Sequence, residues 1–262
     1  MISLIVKLIE KVGSNSINQI NKIGKISRFC INSISNCFTP PFYPRLIFRQ
    51  IVEMGYFSLP VVGLTAIFSG AVLALQSYSG FSRFNAESTI ATVVVLSITR
   101  ELGPVLAGLM VAGRVGASIA AEIGTMKVTE QIDALKTLST NPYKYLIAPR
   151  IIAGIIMLPF LVLIADIIGV MGGYLVSVHS LGFSSGPYIS NTFKFLEKID
   201  VISGLVKAGF FGFIIAIMGC YFGYNSERGA EGVGKATTNA VVFASILILL
   251  LNYIITGWFF GN

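Results

Sequence analysis

Five separate stretches of this 262-residue chain are apolar for about the length that carries a helix across a bilayer. A hydrocarbon core of ~30 Å takes about 20 helical residues. The run "LPVVGLTAIFSGAVLALQSY" (Leu59–Tyr78) supplies the core of one such span. No water reaches the backbone in that layer, so each stretch must be a helix that satisfies its own hydrogen bonds. The sequence predicts spans at about residues 47–78, 88–121, 146–178, 201–224 and 236–260. Composition agrees: 54% of residues are hydrophobic and 12% charged, against about 25% charged in a soluble domain. The expected fold is an all-α integral membrane protein whose membrane domain covers 46–262.

Residues 1–45 read differently. Ile17, Ile20, Ile23, Ile26, Ile31 and Ile34 recur at helical spacing, with Lys22, Lys25 and Arg28 between them. A basic amphipathic helix lies in the membrane surface rather than crossing it. The start, "MISLIVKLIEKVG", has no basic stretch ahead of its apolar run and no small-residue cleavage site, so it does not read as a secretory signal. "TPPFYP" (Thr39–Pro44) should break the helix. Most of the 19 Lys and Arg residues lie in this region and in segments 122–150 and 223–235, whereas Arg83, Lys194 and Lys198 occupy the other loops. That asymmetry predicts a cytoplasmic N-terminus and an external C-terminus. It also gives the net charge of +7 a membrane explanation, with no nucleic-acid partner.

The second span is the unusual one. "SITRELGPVLAGLMVAGRVGASIAAEIGTM" (Ser97–Met126) carries Arg100, Glu101, Arg114 and Glu122 inside an apolar run. Segment 88–123 would be about 54 Å long if straight, so it must tilt, kink or project from the bilayer. A charge at the bilayer centre costs at least ~2.5–3.5 kcal/mol, so such residues face the bundle interior or water. Arg100 and Arg114 are 14 residues apart and fall on nearly the same face of an ideal helix. Pro104 has no N–H, which deprives the Arg100 carbonyl of its helical partner. Physics alone leaves two readings of this level open: a polar pocket, or a buried ion pair with Asp166 or Lys207 on another span. Small residues at 112, 116 and 120, and at 113, 117 and 121, read as helix-packing stripes, as do Gly172, Gly173, Gly204, Gly209 and Gly212.

Between the second and third spans, "KVTEQIDALKTLSTNPYKY" predicts a short helix over about 129–140. Thr129 would cap it, Glu130 and Asp133 would sit in its first turn and Lys136 near its end. Asn141-Pro142 would stop it. Pro149 and Pro159 are expected bend points of the third span, and 179–200 an external loop with helical potential. "GAEGVGKAT" (Gly229–Thr237) comes close to a phosphate-binding loop, but Ala236 stands where a magnesium-binding hydroxyl is needed. A tight turn into the fifth span is the better reading. Cys30, Cys37 and Cys220 lack metal-ligand spacing, and His179 is the one histidine. Neither a metal nor a cofactor is expected.

These residues resemble a known family. "RELGPV", "AGRVGASIAAEIGTMKVTEQIDAL", "NPYKYLIAPRIIAG", "LPFLVLIADIIGVMGGYLV" and "GVGKATTNAVV" are similar to the MlaE/YrbE permeases of ABC transporters, over about residues 45–262. The resemblance implies a homodimeric permease of the bacterial inner membrane. It would dock on a separate cytoplasmic ATPase, with an MCE-domain partner outside and in some systems a STAS-type subunit. The substrates implied are lipids, mainly phospholipids, moved between inner and outer membranes. The chain itself would be no enzyme.

Residue by residue, Arg100 and Glu101 match the family's charged pair near the lipid cavity, which favours the pocket reading. Leu75, Tyr78 and Leu102 are candidate apolar lining, with Pro104 as the helix break. Segment 129–140, with Glu130, Asp133 and Leu135, matches the helix that meets the ATPase. Arg114, Glu122 and Asp166 are structural or pathway charges. Two other classes remain: an ion-coupled secondary transporter titrating Glu101 and Asp166, and a membrane scaffold without a pathway. The first would transport without an ATPase; in the second, loss of the charges would unfold the chain.

Overall fold

The computed structural model describes residues 2–84 and 86–261. For residues 1–12, 15, 16, 18, 19 and 22 the side chains lie outside that description, Lys22 of the basic stripe among them. The described residues form helices and no strand. Five helical runs are long and apolar enough to cross a membrane: Pro44–Phe84, Glu87–Val128, Tyr143–His179, Lys198–Tyr224 and Gly229–Phe260. They are called the first to fifth spans below. The N-terminal helix, Ile2–Cys37, precedes them. A short helix, Gln131–Thr137, joins the second span to the third. Another, Ser185–Phe195, joins the third to the fourth at the opposite end of the bundle.

The fourth span is the centre of the bundle. Its most apolar window is 61% buried, against 28% for the first span and 22% for the fifth. Close backbone approaches explain how the third and second spans pack against it. A Cβ on Gly212 would meet the Gly154 carbonyl of the third span at 2.1 Å. One on Gly223 would meet the Ala120 carbonyl of the second span at 2.9 Å. Third and first spans cross in the same way, with Gly70 laid on the Gly169 backbone. Without a hydrophobic driving force between helices in lipid, this close packing is what holds them. The Ala112–Gly116–Ala120 stripe is buried here, whereas Gly113 faces open space, as does Gly209. Large apolar side chains such as Phe68 and Val72 of the first span and Leu250 and Trp258 of the fifth are exposed. In a bilayer their solvent is hydrocarbon.

The sequence placed the elements but not all their details. The first span begins at Pro44 and the fifth at Gly229, earlier than expected, because both start with helical turns outside the apolar core. Residues 229–235 are therefore helix rather than turn; the turn is 225–228. Thr129 does not cap the short helix. It ends the second span, its Oγ1 bonding back to the Thr125 carbonyl at 2.8 Å. Glu130 takes the N-cap position in a left-handed conformation (φ 60°). The short helix stops at Thr137, and Asn141 Oδ1 instead accepts the Tyr143 N–H at the start of the third span.

The long second span absorbs its length with two π-helical turns, Ile98–Leu102 and Ala112–Gly116. Each inserts extra residues and rotates the helical turns beyond it. Arg100 and Arg114 consequently do not share a face: one meets the fourth and fifth spans, the other Ser58 of the first. The ideal-helix spacing that put them together does not survive two π turns.

The N-terminal helix docks by its second half. Phe29 is buried among the rings of Tyr143, Tyr221 and Tyr224, with centroids 5.4–6.0 Å away. Asn141 donates to Asn36 Oδ1 at 3.1 Å. Ile17, Ile20, Ile23, Ile31 and Ile34 stay exposed, consistent with an apolar face turned to lipid.

Candidate functional site

Sequence order in the second span puts Arg100 and Glu101 side by side. The π turn at Ile98–Leu102 then points them at different partners. Arg100 Nε donates to Asp200 Oδ1 at 2.7 Å, and its guanidinium lies 4.4 Å from the centre of the Phe260 ring. Asp200 is itself fixed, because its Oδ2 accepts the Glu197 N–H at 2.9 Å in a capping box that starts the fourth span. Glu101 accepts three bonds. Lys207 Nζ and Thr256 Oγ1 reach Oε1 at 2.8 Å, and Asn252 Nδ2 reaches Oε2 at 2.7 Å.

Lys207 has a second task. Its Nζ donates to the Arg100 carbonyl at 2.7 Å, the carbonyl that Pro104 leaves without a helical N–H. The proline break and the lysine are thus one device. Lys207 is fully buried, while the side chains of Arg100 and Glu101 keep 33% and 37% exposure. The fourth span comes this close because Gly204 lies on the Thr99 carbonyl, where a Cβ would sit 2.6 Å away. Two cations and two carboxylates therefore form a neutral cluster with one accessible side. Pairing removes most of the cost of charge at membrane depth, but each member now depends on its partner.

At this level the structure pairs the charges and leaves two of them partly exposed. The charges are paired, as a structural ion pair requires, with Lys207 as the partner of Glu101. Arg100 and Glu101 each keep about a third of their side-chain surface exposed beside the fifth-span groups that bond or cover them. Among the described residues no protein group bonds the Arg100 Nη atoms.

The other candidate residues lie elsewhere. Leu75 is exposed on the open face of the first span, and Tyr78 packs against Phe183. Leu102 faces a narrow gap beside Val62 and Ala165. Arg114 bonds Ser58 Oγ at 2.8 Å, with its guanidinium 5.9 Å from the Phe57 ring, and so ties the second span to the first. Glu122 pairs with the buried Arg150 at 2.7 Å. Asp166 of the third span is buried against Gly103 of the second, and its Oδ1 has no partner among the described residues.

At the connecting helix, Asp133 is half exposed and pairs with Lys136 at 2.8 Å and Lys127 at 3.3 Å. The hydrogen bonds from Lys136 and Lys127 hold its carboxyl below the usual range, and the same bond raises Lys136. Glu130 is exposed and Leu135 packs inward against the core.

Asp200, Asn252, Thr256 and Phe260 were not singled out from sequence. Asn252 and Thr256 carried a usable signal: a polar pair at i, i+4 shares one face of an otherwise apolar helix. Asp200 carried one too, as an acid at the N3 position of a capping box.

An all-helical bundle of five membrane spans around a cluster of paired charges is the architecture of a polytopic membrane protein. Comparison with known sequences gives the particular kind. The family model "Permease MlaE" matches residues 47–258. A "Probable ABC transporter permease protein" of Rickettsia felis is 64% identical over 257 residues, 98% of this chain and 99% of the relative. The "Intermembrane phospholipid transport system permease protein MlaE" of Haemophilus influenzae is 39% identical over 220 residues, 84% of each chain. "Protein TRIGALACTOSYLDIACYLGLYCEROL 1, chloroplastic" of Arabidopsis thaliana is 37% identical over 216 residues, 82% of this chain and 62% of the relative. The chain belongs to the MlaE permease family. It is a transport permease and not an enzyme.

Proposed function

We propose that this chain is the permease subunit of an ABC transporter that moves lipids, phospholipids foremost, between the inner and outer membranes of a bacterium. The observation that carries the reading is the family match across all five spans. The membrane-depth cluster of Arg100, Glu101, Asp200 and Lys207 adds a polar station within an apolar body. The chain sits in the inner membrane with its N-terminus in the cytoplasm. A second copy faces the exposed side of the first span, so that Leu75 lines a shared cavity between the first and second spans and the cluster lies at its wall. A phosphate approaches the free edge of Arg100, while Glu101 stays neutralised by Lys207 and the hydrogen bonds of Asn252 and Thr256.

Helix 131–137 meets the cytoplasmic ATPase through its exposed face. The ATPase, an MCE-domain protein on the external side and in some assemblies a STAS-type subunit complete the machine. Support for the docking role comes from its position at the bundle end that also holds the 225–228 turn. The test is purification with the ATPase, mass spectrometry of retained lipid, and reconstitution into liposomes. Phospholipid should be retained and its transfer should require ATP. Transfer by this chain alone, driven by an ion gradient, would overturn the reading.

A further inference from the structure

A second apolar space lies away from the charged cluster. It has a volume of about 460 Å³ and runs between the second and third spans beneath helix 185–195. Val95, Val170, Met171 and Leu196 line it, and Tyr188 and Thr192 form its roof. Its mouth is flanked by Ile167, Met171, Ile189 and Phe193, all exposed on the outer surface of the bundle. For a five-span protein that surface is bilayer. An apolar space of this size open to hydrocarbon fills with hydrocarbon, because water there would lose its hydrogen bonds.

The depth fits one leaflet. Asp166, at the inner end, lies 13 residues before His179, about 20 Å along the helix. The far end of the space is thus near the middle of a ~30 Å hydrocarbon core. Asp166 is 7% exposed, and no described residue donates to its Oδ1. Only glycine at 103 lets that carboxyl lie against the second span, since a Cβ there would be 1.9 Å from Oδ1. A polar floor under an apolar shaft marks where a hydrocarbon chain should stop.

The rim carries the complementary charge. Lys194 and Lys198 are exposed at the end of helix 185–195 and the start of the fourth span. Neither forms an ion pair with the described residues. An ammonium beside a lipid surface attracts a phosphate.

We propose that this space is a lateral site for one acyl chain of a phospholipid from the leaflet on the side of helix 185–195, with its phosphate held by Lys194 and Lys198. The occupant is a resident lipid that wedges the helix over the bundle. It is separate from any cargo at Arg100, and its binding needs neither ATP nor an ATPase. Failure of the site would therefore leave the transport reading standing.

The test uses the full chain in nanodiscs of phosphatidylethanolamine and phosphatidylglycerol. The probe is a phosphatidylglycerol with a diazirine near the end of one acyl chain, and photoadducts are mapped by mass spectrometry. Adducts should concentrate on Met171, Thr192 and Leu196 over the exposed fifth-span residues Ile246 and Tyr253. Filling the space with Met171→Trp and Thr192→Trp should cut the cavity adducts roughly tenfold and spare those on the fifth span. Lys194→Glu with Lys198→Glu should lower them several-fold for this anionic probe. Equal labelling of cavity and fifth span in the unmodified protein would overturn the site, whether or not the filled variant folds. So would undiminished labelling in a filled variant that folds. Unchanged labelling in the lysine variant would overturn the phosphate assignment.

Discussion

Two sets of charges in this protein have similar composition and very different weight. In the membrane-depth cluster, Arg100, Glu101, Asp200 and Lys207 come from two spans and take further bonds from a third. Beside the connecting helix, Lys127, Asp133 and Lys136 come from ten consecutive residues and stay largely in solvent. An exposed pair gains little because water and salt screen it. A buried pair contributes little net stability when whole, but breaking it leaves an uncompensated charge. The first set specifies how spans come together; the second shapes a surface.

The largest break in this contrast should come from Lys207→Met, which strands both Glu101 and the Arg100 carbonyl. A loss of about 3–5 kcal/mol is expected, measured by thermal unfolding in detergent. Lys207→Met combined with Glu101→Leu should recover a substantial part of it. If the double variant is no more stable than the single, stranded charge is not the cause.

Next comes Gly204→Leu. It forces the fourth span off the Thr99 carbonyl and pulls the two halves of the cluster apart. About 1–3 kcal/mol is expected from overpacking, with Glu101 becoming more reactive to water-soluble carbodiimide. Glu122→Gln sits between the two sets, because its exposed carboxylate pairs with a buried Arg150. A cost of about 1 kcal/mol is expected in the same melt.

The smallest effect is expected for Asp133→Asn. Asp133 is held below its ordinary pKa, first by Lys136 and then by Lys127. Its contribution is therefore complete above the unfolded carboxylate value of about 3.9 and fades only as pH falls through the lower folded value. Between pH 5 and 8 the melting temperature of this variant should lie a small and pH-independent step below the parent's, and salt should remove that step. A large shift would place Asp133 in the same energetic class as the membrane cluster and erase the contrast.

The same contrast explains what the sequence could reveal. Spans and the connecting helix were legible because apolar length and the preference for acids at the start and bases at the end of a helix are local; that Asp133 and Lys136 pair was not drawn from their i, i+3 spacing. Pro104 announced a freed carbonyl, and Lys207 was foreseen as one possible partner. That Lys207 serves both Glu101 and this carbonyl needed the crossing of two spans 107 residues apart in sequence. Arg100 and Arg114 were misassigned to one face because π turns are invisible to a 3.6-residue period. Thr129 looked like a cap, but its hydroxyl bonds backward into the preceding helix. Asp200 escaped notice because it reads as a loop acid until the capping box places it at the start of the fourth span.

The central claim is that the accessible edge of the charged cluster takes part in moving lipid. The most direct test removes one ion pair without stranding its partner, using Arg100→Gln with Asp200→Asn in the complex with its ATPase. ATP-driven phospholipid transfer between liposomes is the readout, at matched ATPase occupancy and matched melting temperature. Transfer slowed about tenfold or more, equivalent to at least ~1.4 kcal/mol of barrier, is expected with the assembly intact. Transfer at the parent rate would contradict it and leave the cluster a purely structural clasp.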